Sequence, residues 1–256
     1  MFQSVSVDIK SAEDIKLMRR AGAIVAETLC VLKESAEAGM STMDLDALAE
    51  KTIRKNGATP AFKGYRGFPG TLCASINEEV VHGIPSKKRI LKDGDILSID
   101  MGCIVEGFYG DSAMTIGIGD ISDEARKLLE VTEESLYKGI EQLKPDNRLG
   151  DVGYAVQKCA EDAGYSVVRE FVGHGIGRAL HEDPPVPNYG SRGSGLRLRP
   201  GMVLAIEPMV NAGSPDVRVL EDQWTAVTAD GKLSAHFEHT IAVTEDGHEI
   251  LTLRTR

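Results

Sequence analysis

The chain has 256 residues, 42% hydrophobic and 27% charged, with a formal net charge of −10. That length supplies material for one large core, and the acidic balance speaks against a nucleic-acid grip, because the basic run Lys87-Lys88-Arg89 is too short to make a basic face. No apolar run reaches the ~18–20 residues that span a bilayer, the N-terminal stretch has no basic-then-apolar signal pattern, and the four cysteines (30, 73, 103, 159) show no CxxC spacing or paired framework; a cytoplasmic, reducing setting is expected.

Residues 13–38 carry Ile15, Met18, Gly22, Val25, Leu29 and Leu32 at three- and four-residue steps, which predicts an amphipathic helix ended by Gly39. Ser41-Thr42 caps a second helix bearing Leu45, Leu48 and Ile53, closed by Gly57. Residues 60–83 turn glycine- and aromatic-rich, and strand signals run from 72 to 116. Within them Gly94–Asp111, GDILSIDMGCIVEGFYGD, reads as a β-hairpin turning at Glu106-Gly107. A turn centred on Val105-Glu106 sets Asp100 opposite Asp111, and a shift of one residue leaves them diagonal on one face.

After Gly119-Asp120 the pattern begins again. Ser122 caps a helix running to Leu143 and ended by Pro145, and a second helix covers 149–163. Strand-like segments follow at 166–173, 202–207, 217–227, 235–244 and 248–253. Two helices followed by strands, twice, suggest internal duplication, with repeats at about 12–119 and 120–250 inside a single domain covering 1–256. With no Gly/Ser linker between them, the halves are expected to share one sheet.

Several polar residues sit in apolar surroundings. Two aspartates roughly 5 Å apart on a sheet face repel unless a proton or a cation lies between them; the bland reading is one turn-starting Asp and one solvated Asp. His174, flanked by Gly173 and Gly175, reads alone as a core histidine, and His82 as a loop histidine. The His174–His181 spacing of seven rules out an HExxH helix, and Gly175-Ile-Gly177 is an incomplete dinucleotide fingerprint. Glu207 ends the apolar run MVLAI, and Glu238 falls mid-strand in SAHFEHTIAV. Together these are four carboxylates and a histidine in hydrophobic strands, with too few basic residues in similar settings to pair them. A buried carboxylate costs several kcal/mol unless compensated. Two divalent cations would compensate the set.

The order of Asp100, Asp111, His174, Glu207 and Glu238, set in SINEEVVHGIP, GHGIGRALHEDP, MVLAIEP and HFEHTIAV, resembles the type I methionine aminopeptidases of the M24 metallopeptidases, over essentially the whole chain. The resemblance implies an α+β pita-bread fold, with two pseudo-symmetric halves around a curved antiparallel sheet, and removal of initiator methionine from nascent peptides when the second residue is small. It implies that Asp100 chelates one metal, Asp111 and Glu238 bridge two, and His174 and Glu207 bind the second, with Co²⁺, Mn²⁺ or Fe²⁺ as candidates. Glu207 is then the proton shuttle, His82 and His181 contact the substrate amide and the oxyanion, and Tyr65, Phe68, Cys73 and Trp224 wall the methionine pocket. Asn77 and Ser234 resemble positions of a monovalent cation site. The expected protein is a monomer acting on nascent N-termini, with the ribosome as a candidate partner and neither DNA nor membrane.

Phe62 stands where many relatives carry cysteine, and Phe68 where tyrosine is common. His236 lies near the site mouth or is a solvated strand residue; the latter is expected. The short form, without a zinc-binding N-terminal extension or a type II insertion, matches bacterial relatives. The alternatives are an X-Pro peptidase of the same fold and a non-catalytic binding protein, which typically loses metal ligands.

Overall fold

The computed structural model describes residues 7–254; residues 1–6, part of the stretch inspected for a signal pattern, lie outside them. In chain order α1 (Ala12–Ser35) and α2 (Thr42–Lys55) precede β1 (Thr59–Pro60), β2 (Leu72–Ile76), β3 (Glu79–Val81), β4 (Ile96–Val105) and β5 (Phe108–Gly117). Then α3 (Asp123–Ile140) and α4 (Leu149–Asp162) precede β6 (Ser166–Val167), β7 (Gly173–Gly175), β8 (Glu182–Val186), β9 (Val203–Ile206), β10 (Met209–Asn211), β11 (Val217–Val219), β12 (Ala226–Thr228), β13 (Ser234–His236), β14 (His239–Val243) and β15 (His248–Ile250). Hydrophobic periodicity thus placed all four helices to within a few residues. The first ends earlier than its apolar pattern, because Ala36 is already extended and Gly39, at φ 96°, makes the turn.

Both opening helices start on a reciprocal cap. Ser11 accepts from the backbone N–H of Asp14 while the Asp14 carboxylate accepts from Ser11 N–H, and Ser41 and Asp44 repeat the arrangement. The apolar stripe of α1 then packs on β5 and β4. Each of its fully buried leucines, Leu29 and Leu32, contributes roughly 1.5–3 kcal/mol through burial. The approach is closest at Gly110, where a Cβ would lie 2.8 Å from Gly22 N and 2.9 Å from Ala21 C. The helix backbone therefore rests on β5 one residue before Asp111.

The strands form four antiparallel sheets, with orders β1-β4-β2 (β5 beside β4), β15-β14-β9-β7-β8, β13-β10-β6 and β11-β12-β3. The halves interleave: β3 of the first pairs with β12 of the second. Glu238 N–H donates to Ala113 C=O (2.9 Å), and Asp111 N–H to Thr240 Oγ1 (3.1 Å), tying β5 to the start of β14. One buried apolar cluster takes Leu29 and Ile99 from the first half and Leu136, Ile206 and Ile241 from the second. The long apolar runs at 166–173, 217–227 and 235–244 each resolve into two short strands. Apolar pattern alone hid those breaks, and one of them shapes the site.

Candidate metal centre

Asp100 and Asp111 come from one hairpin. Its turn is Glu106-Gly107, both at positive φ (50° and 83°), the geometry that suits a right-handed strand twist. This turn sets Asp100 opposite Ala113 and Asp111 opposite Gly102. The aspartates are therefore diagonal, not directly opposed, and share one face.

Glu207 and Glu238 come from a second pair of strands that break together. β9 pairs with β14 through Ile206 opposite His239, and β10 with β13 through Met209 opposite His236. The register is the same on both sides, so Glu207 and Glu238 meet across the gap. Glu238 is thus at an interruption and not mid-strand as its sequence pattern suggested. The interruption frees its backbone N–H for Ala113, which bonds the break to the aspartate hairpin.

His174 sits on β7 at a register shift between His174 and Gly175. Its Nδ1 donates to Gly175 C=O (2.9 Å), which leaves the Nε2 lone pair facing inward, 3.5 Å from Glu207 Oε1 and 3.9 Å from Asp111 Oδ2. Asp111, His174 and Glu238 are buried and offer ligand atoms all within 4.8 Å of one another. Asp100 and Glu207 fall outside that tight group but line the same cavity.

The electrostatics are those of a carboxylate set short of positive charge. Burial pushes Asp111 up to about 7. Burial first, and then neighbouring carboxylates, hold Asp100, Glu207 and Glu238 well above their ordinary range. Burial, with His181 adding to it, takes His174 down to about 4, so its pairs with Asp111 and Glu207 are not ion pairs near neutrality. Asp100 Oδ1, Asp111 Oδ1 and Glu238 Oε1 are buried without a hydrogen-bond partner. Such orphaned acceptors cost about 1–3 kcal/mol each. A divalent cation held there would satisfy them together. The donors are oxygen and one imidazole nitrogen, and burial keeps the nearby Cys73 thiol protonated. This set fits a divalent first-row ion over a thiolate-loving one.

The cavity is about 170 Å³ and opens beside these ligands. Tyr65, Phe68, Cys73, His82, His181 and Trp224 line it together with the five candidate ligands, while Asn77, Ser234 and His236 are not among its lining residues. Phe68 packs edge-on to Trp224 (5.1 Å between ring centroids). His181 stacks beside His174 (4.4 Å), and its Nδ1 is 2.8 Å from the Tyr65 hydroxyl. His82 lies at the end of β3 with φ 63°, its ring against Phe171 and Trp224. Phe62 also lines the cavity, as do Arg66 and Leu180, which sequence reasoning missed. Neither Arg66 nor Leu180 breaks a local pattern, so no sequence signal marked them.

One expectation is overturned. His236 is not a solvated strand residue: it is 1% exposed, its Nε2 is 3.8 Å from Glu207 Oε2, and neither ring nitrogen has a partner. It lies in β13 opposite Met209, in a strand buried on both faces, and burial takes it down to about 3.

The sequence pattern of Metallopeptidase family M24 matches residues 16–245. The chain is 58% identical to methionine aminopeptidase 1 of Bacillus subtilis (strain 168), over 95% of this chain and 98% of that protein. It resembles the crystal structure of methionine aminopeptidase from Thermotoga maritima, with a TM-score of 0.95 and 48% identity over 96% of this chain and 99% of that one. The structure of methionine aminopeptidase from Rickettsia prowazekii is similar to the same degree, with a TM-score of 0.95 and 44% identity over 97% and 100%.

Proposed function

The chain belongs to metallopeptidase family M24, within the type I methionine aminopeptidases, and from that premise we propose that it removes the N-terminal methionine of nascent chains at the carboxylate cavity, with Asp100, Asp111, His174, Glu207 and Glu238 holding two divalent cations. Asp111 and Glu238, both in the tight donor group, would be shared by the two cations; Asp100 would complete one site, and His174 with Glu207 the other. The observation that carries the reading is the meeting of Asp111, His174 and Glu238 at one buried point, their ligand atoms within 4.8 Å of one another, beside buried oxygens of Asp111, Glu238 and Asp100 that lack a hydrogen-bond partner.

Bound there, the cations would polarise the scissile carbonyl, acidify the attacking water and anchor the free amine. The protein's own groups do the rest. Glu207, at the cavity edge of the cluster, accepts the water proton and returns it to the leaving nitrogen. His82 and His181 are neutral at working pH, since burial takes His82 to about 4 and lowers His181 as well. The Tyr65 hydroxyl donates to His181 Nδ1, which leaves Nε2–H to donate to oxygen as charge develops there, while His82 contacts the substrate amide. Phe68, Trp224 and Cys73 hold the methionine side chain by shape and dispersion, with sulfur against aromatic rings. The preference for a small second residue is taken over from the type I methionine aminopeptidases.

Which ion works in the cell is a choice among Co²⁺, Mn²⁺ and Fe²⁺. At the monovalent-cation position, Asn77 and Ser234 have their side chains already bonded, to Asp95 and Ile96 and to Asn211 respectively. A cation there would rely on main-chain carbonyls. The chain is taken as a monomer, with the ribosome as candidate partner. Its four free cysteines suit the cytoplasm, and among the described residues no helix is long and apolar enough to cross a membrane.

The deciding experiment strips the protein of metal and assays Met-Gly-Met-Met against Ala-Pro with and without Co²⁺, Mn²⁺ or Fe²⁺. Metal-dependent release of methionine, with Ala-Pro left intact, is expected. Preferential cleavage of Ala-Pro would favour an X-Pro peptidase, and no activity with any ion would favour a binding protein.

A further inference from the structure

Lys10 precedes the first helix, far along the chain from the cavity, yet its side chain is only 3% exposed. Its Nζ is ion-paired with Glu182 Oε2, and also lies 3.1 Å from Asp8 Oδ2 and 3.2 Å from Asp8 C=O. Its own backbone N–H donates to Gly201 C=O (2.8 Å), fixing the segment on which it rides. Glu182 is the residue after His181. Its other oxygen, Oε1, accepts from the backbone N–H groups of Arg178 (2.7 Å) and Ala179 (3.0 Å). One carboxylate therefore closes residues 178–182 into a compact turn and anchors that turn to Lys10. Gly177 lies directly on the pair: a Cβ there would be 2.2 Å from Lys10 Cε and 2.8 Å from Glu182 Oε1. The opposite end of the turn is held by Tyr109 N–H donating to Gly177 C=O (2.9 Å).

This arrangement has more polar bonding than a surface loop needs. A buried ammonium is stable only with good partners, and removing one partner leaves an uncompensated charge. What the turn presents to the cavity is the His181 ring, tilted against His174 (4.4 Å between centroids, 51° between planes) and bonded to Tyr65. We propose that Lys10 is a positioning residue for His181, the Lys10–Glu182 pair setting the height and angle at which the imidazole meets the reacting carbonyl. This rests on the reading of His181 as an oxyanion donor given above. A displacement of about 1 Å in a catalytic group lowers rate by up to about a hundredfold, and His181, joined to Glu182 in the chain, carries the pair's effect into the cavity.

The test is a cycle of Lys10→Met, His181→Ala and the double variant, assayed on a Met-Gly peptide with metal content and thermal unfolding measured alongside. Lys10→Met is expected to lower kcat by about ten- to a hundredfold, with KM and bound metal unchanged. In the His181→Ala background the same substitution should change kcat by less than about twofold, because coupled residues are not additive. A purely structural role would lower kcat by the same factor in both backgrounds, and that result overturns the proposal. Glu182→Gln, which keeps size and both backbone acceptor contacts, must follow the same pattern, and it takes the place of Lys10→Met should the latter fail to fold. Full turnover in both Lys10→Met and Glu182→Gln while His181→Ala is impaired also overturns it. Full turnover in His181→Ala itself would instead refute the oxyanion reading beneath.

Discussion

Glu207 and Glu238 face each other where two neighbouring antiparallel strands break at the same level without losing register. A continuous strand pair would have spent their backbone groups on each other. The break instead lets Glu238 N–H bond to the aspartate hairpin, so two carboxylates from each half are set around one space. Their mutual repulsion is the energetic signature of the site, and the first expectation follows from it. Glu238→Gln or Asp111→Asn should reduce hydrolysis by more than about a hundredfold through loss of the metal bridge. The metal-free variants should stay folded and unfold at equal or higher urea concentration than the parent, because each removes a group that burial disfavours as an anion. Retained turnover in either variant, or collapse of the metal-free fold, would contradict the bridging assignment.

The pH dependence of the metal-free protein has a definite sign. Asp111 titrates at about 7 in the folded chain against an ordinary 3.8. The native state holds that proton more tightly, so its contribution is full below 3.8 and is lost as pH rises to about 7. His174 and His82, at about 4 against 6.5, run the other way, their contribution being present above 6.5 and lost as pH falls toward 4. Above 6.5 the histidine contribution levels off while Asp111 still titrates, and Asp100, Glu207 and Glu238 are raised too. Urea unfolding should therefore show the metal-free protein losing stability from pH 6.5 upward to about 8. Metal binding releases these protons, so the loaded protein should gain stability over the same range. A rise with pH in the metal-free form would be the wrong sign.

His82 offers a cleaner separation of chemistry from metal binding. It lies in the cavity but makes no hydrogen bond to a candidate ligand, and its neighbours are the Phe171 and Trp224 rings. His82→Ala should lower kcat by about a hundredfold or more, as loss of one transition-state donor does, with metal stoichiometry kept. Because His82 is at φ 63°, His82→Asn is the better-tolerated control for backbone strain. Atomic-emission analysis of both variants checks it; loss of metal would make His82 a ligand.

Much of this was legible in the sequence, and the reasons are local. The helices announced themselves through period and caps, as at Ser11 and Ser41, and the hairpin through Glu106-Gly107. The five candidate ligands stood out because charged side chains in apolar strands are expensive. What stayed hidden depended on tertiary pairing. The diagonal setting of Asp100 and Asp111 needed the turn type, and the strand break at Glu238 left no mark on an unbroken apolar pattern. His236 alternates like a surface residue and is nonetheless enclosed, because its strand is covered on both faces. The Lys10–Glu182 pair joins residues 172 positions apart, and nothing near either end of it points to the other.

The methionine slot should tell side chains apart by shape more than by sulfur. Phe68, Trp224 and Cys73 offer it mainly dispersion. One methylene or one sulfur in such a slot is worth only about 1–3 kcal/mol. A norleucine-Gly peptide should then be hydrolysed with kcat/KM within about tenfold to a hundredfold of the methionine peptide, and an isoleucine-Gly peptide, branched at the carbon nearest the ligands, should be rejected. Equal treatment of isoleucine would mean the side chain binds elsewhere.

His236 is the residue whose environment most contradicts its sequence pattern, and its substitution has an expected sign opposite to that of most core changes. Both ring nitrogens are buried without partners, and an unsatisfied buried polar group costs about 1–3 kcal/mol. Leucine fills a similar volume, sits between the same strands and brings no polar atom. His236→Leu should therefore raise the urea midpoint of the metal-free protein, with a gain of up to about 1–3 kcal/mol, whereas His236→Gln, which retains unsatisfied polar atoms, should not. The comparison is informative because Glu207 Oε2, at 3.8 Å, is too far from Nε2 for a hydrogen bond, and the ring, taken down to about 3 by burial, is neutral and makes no ion pair. A loss of stability in His236→Leu would show that the ring is hydrogen-bonded through water in solution, and would make His236 part of the polar network around Glu207.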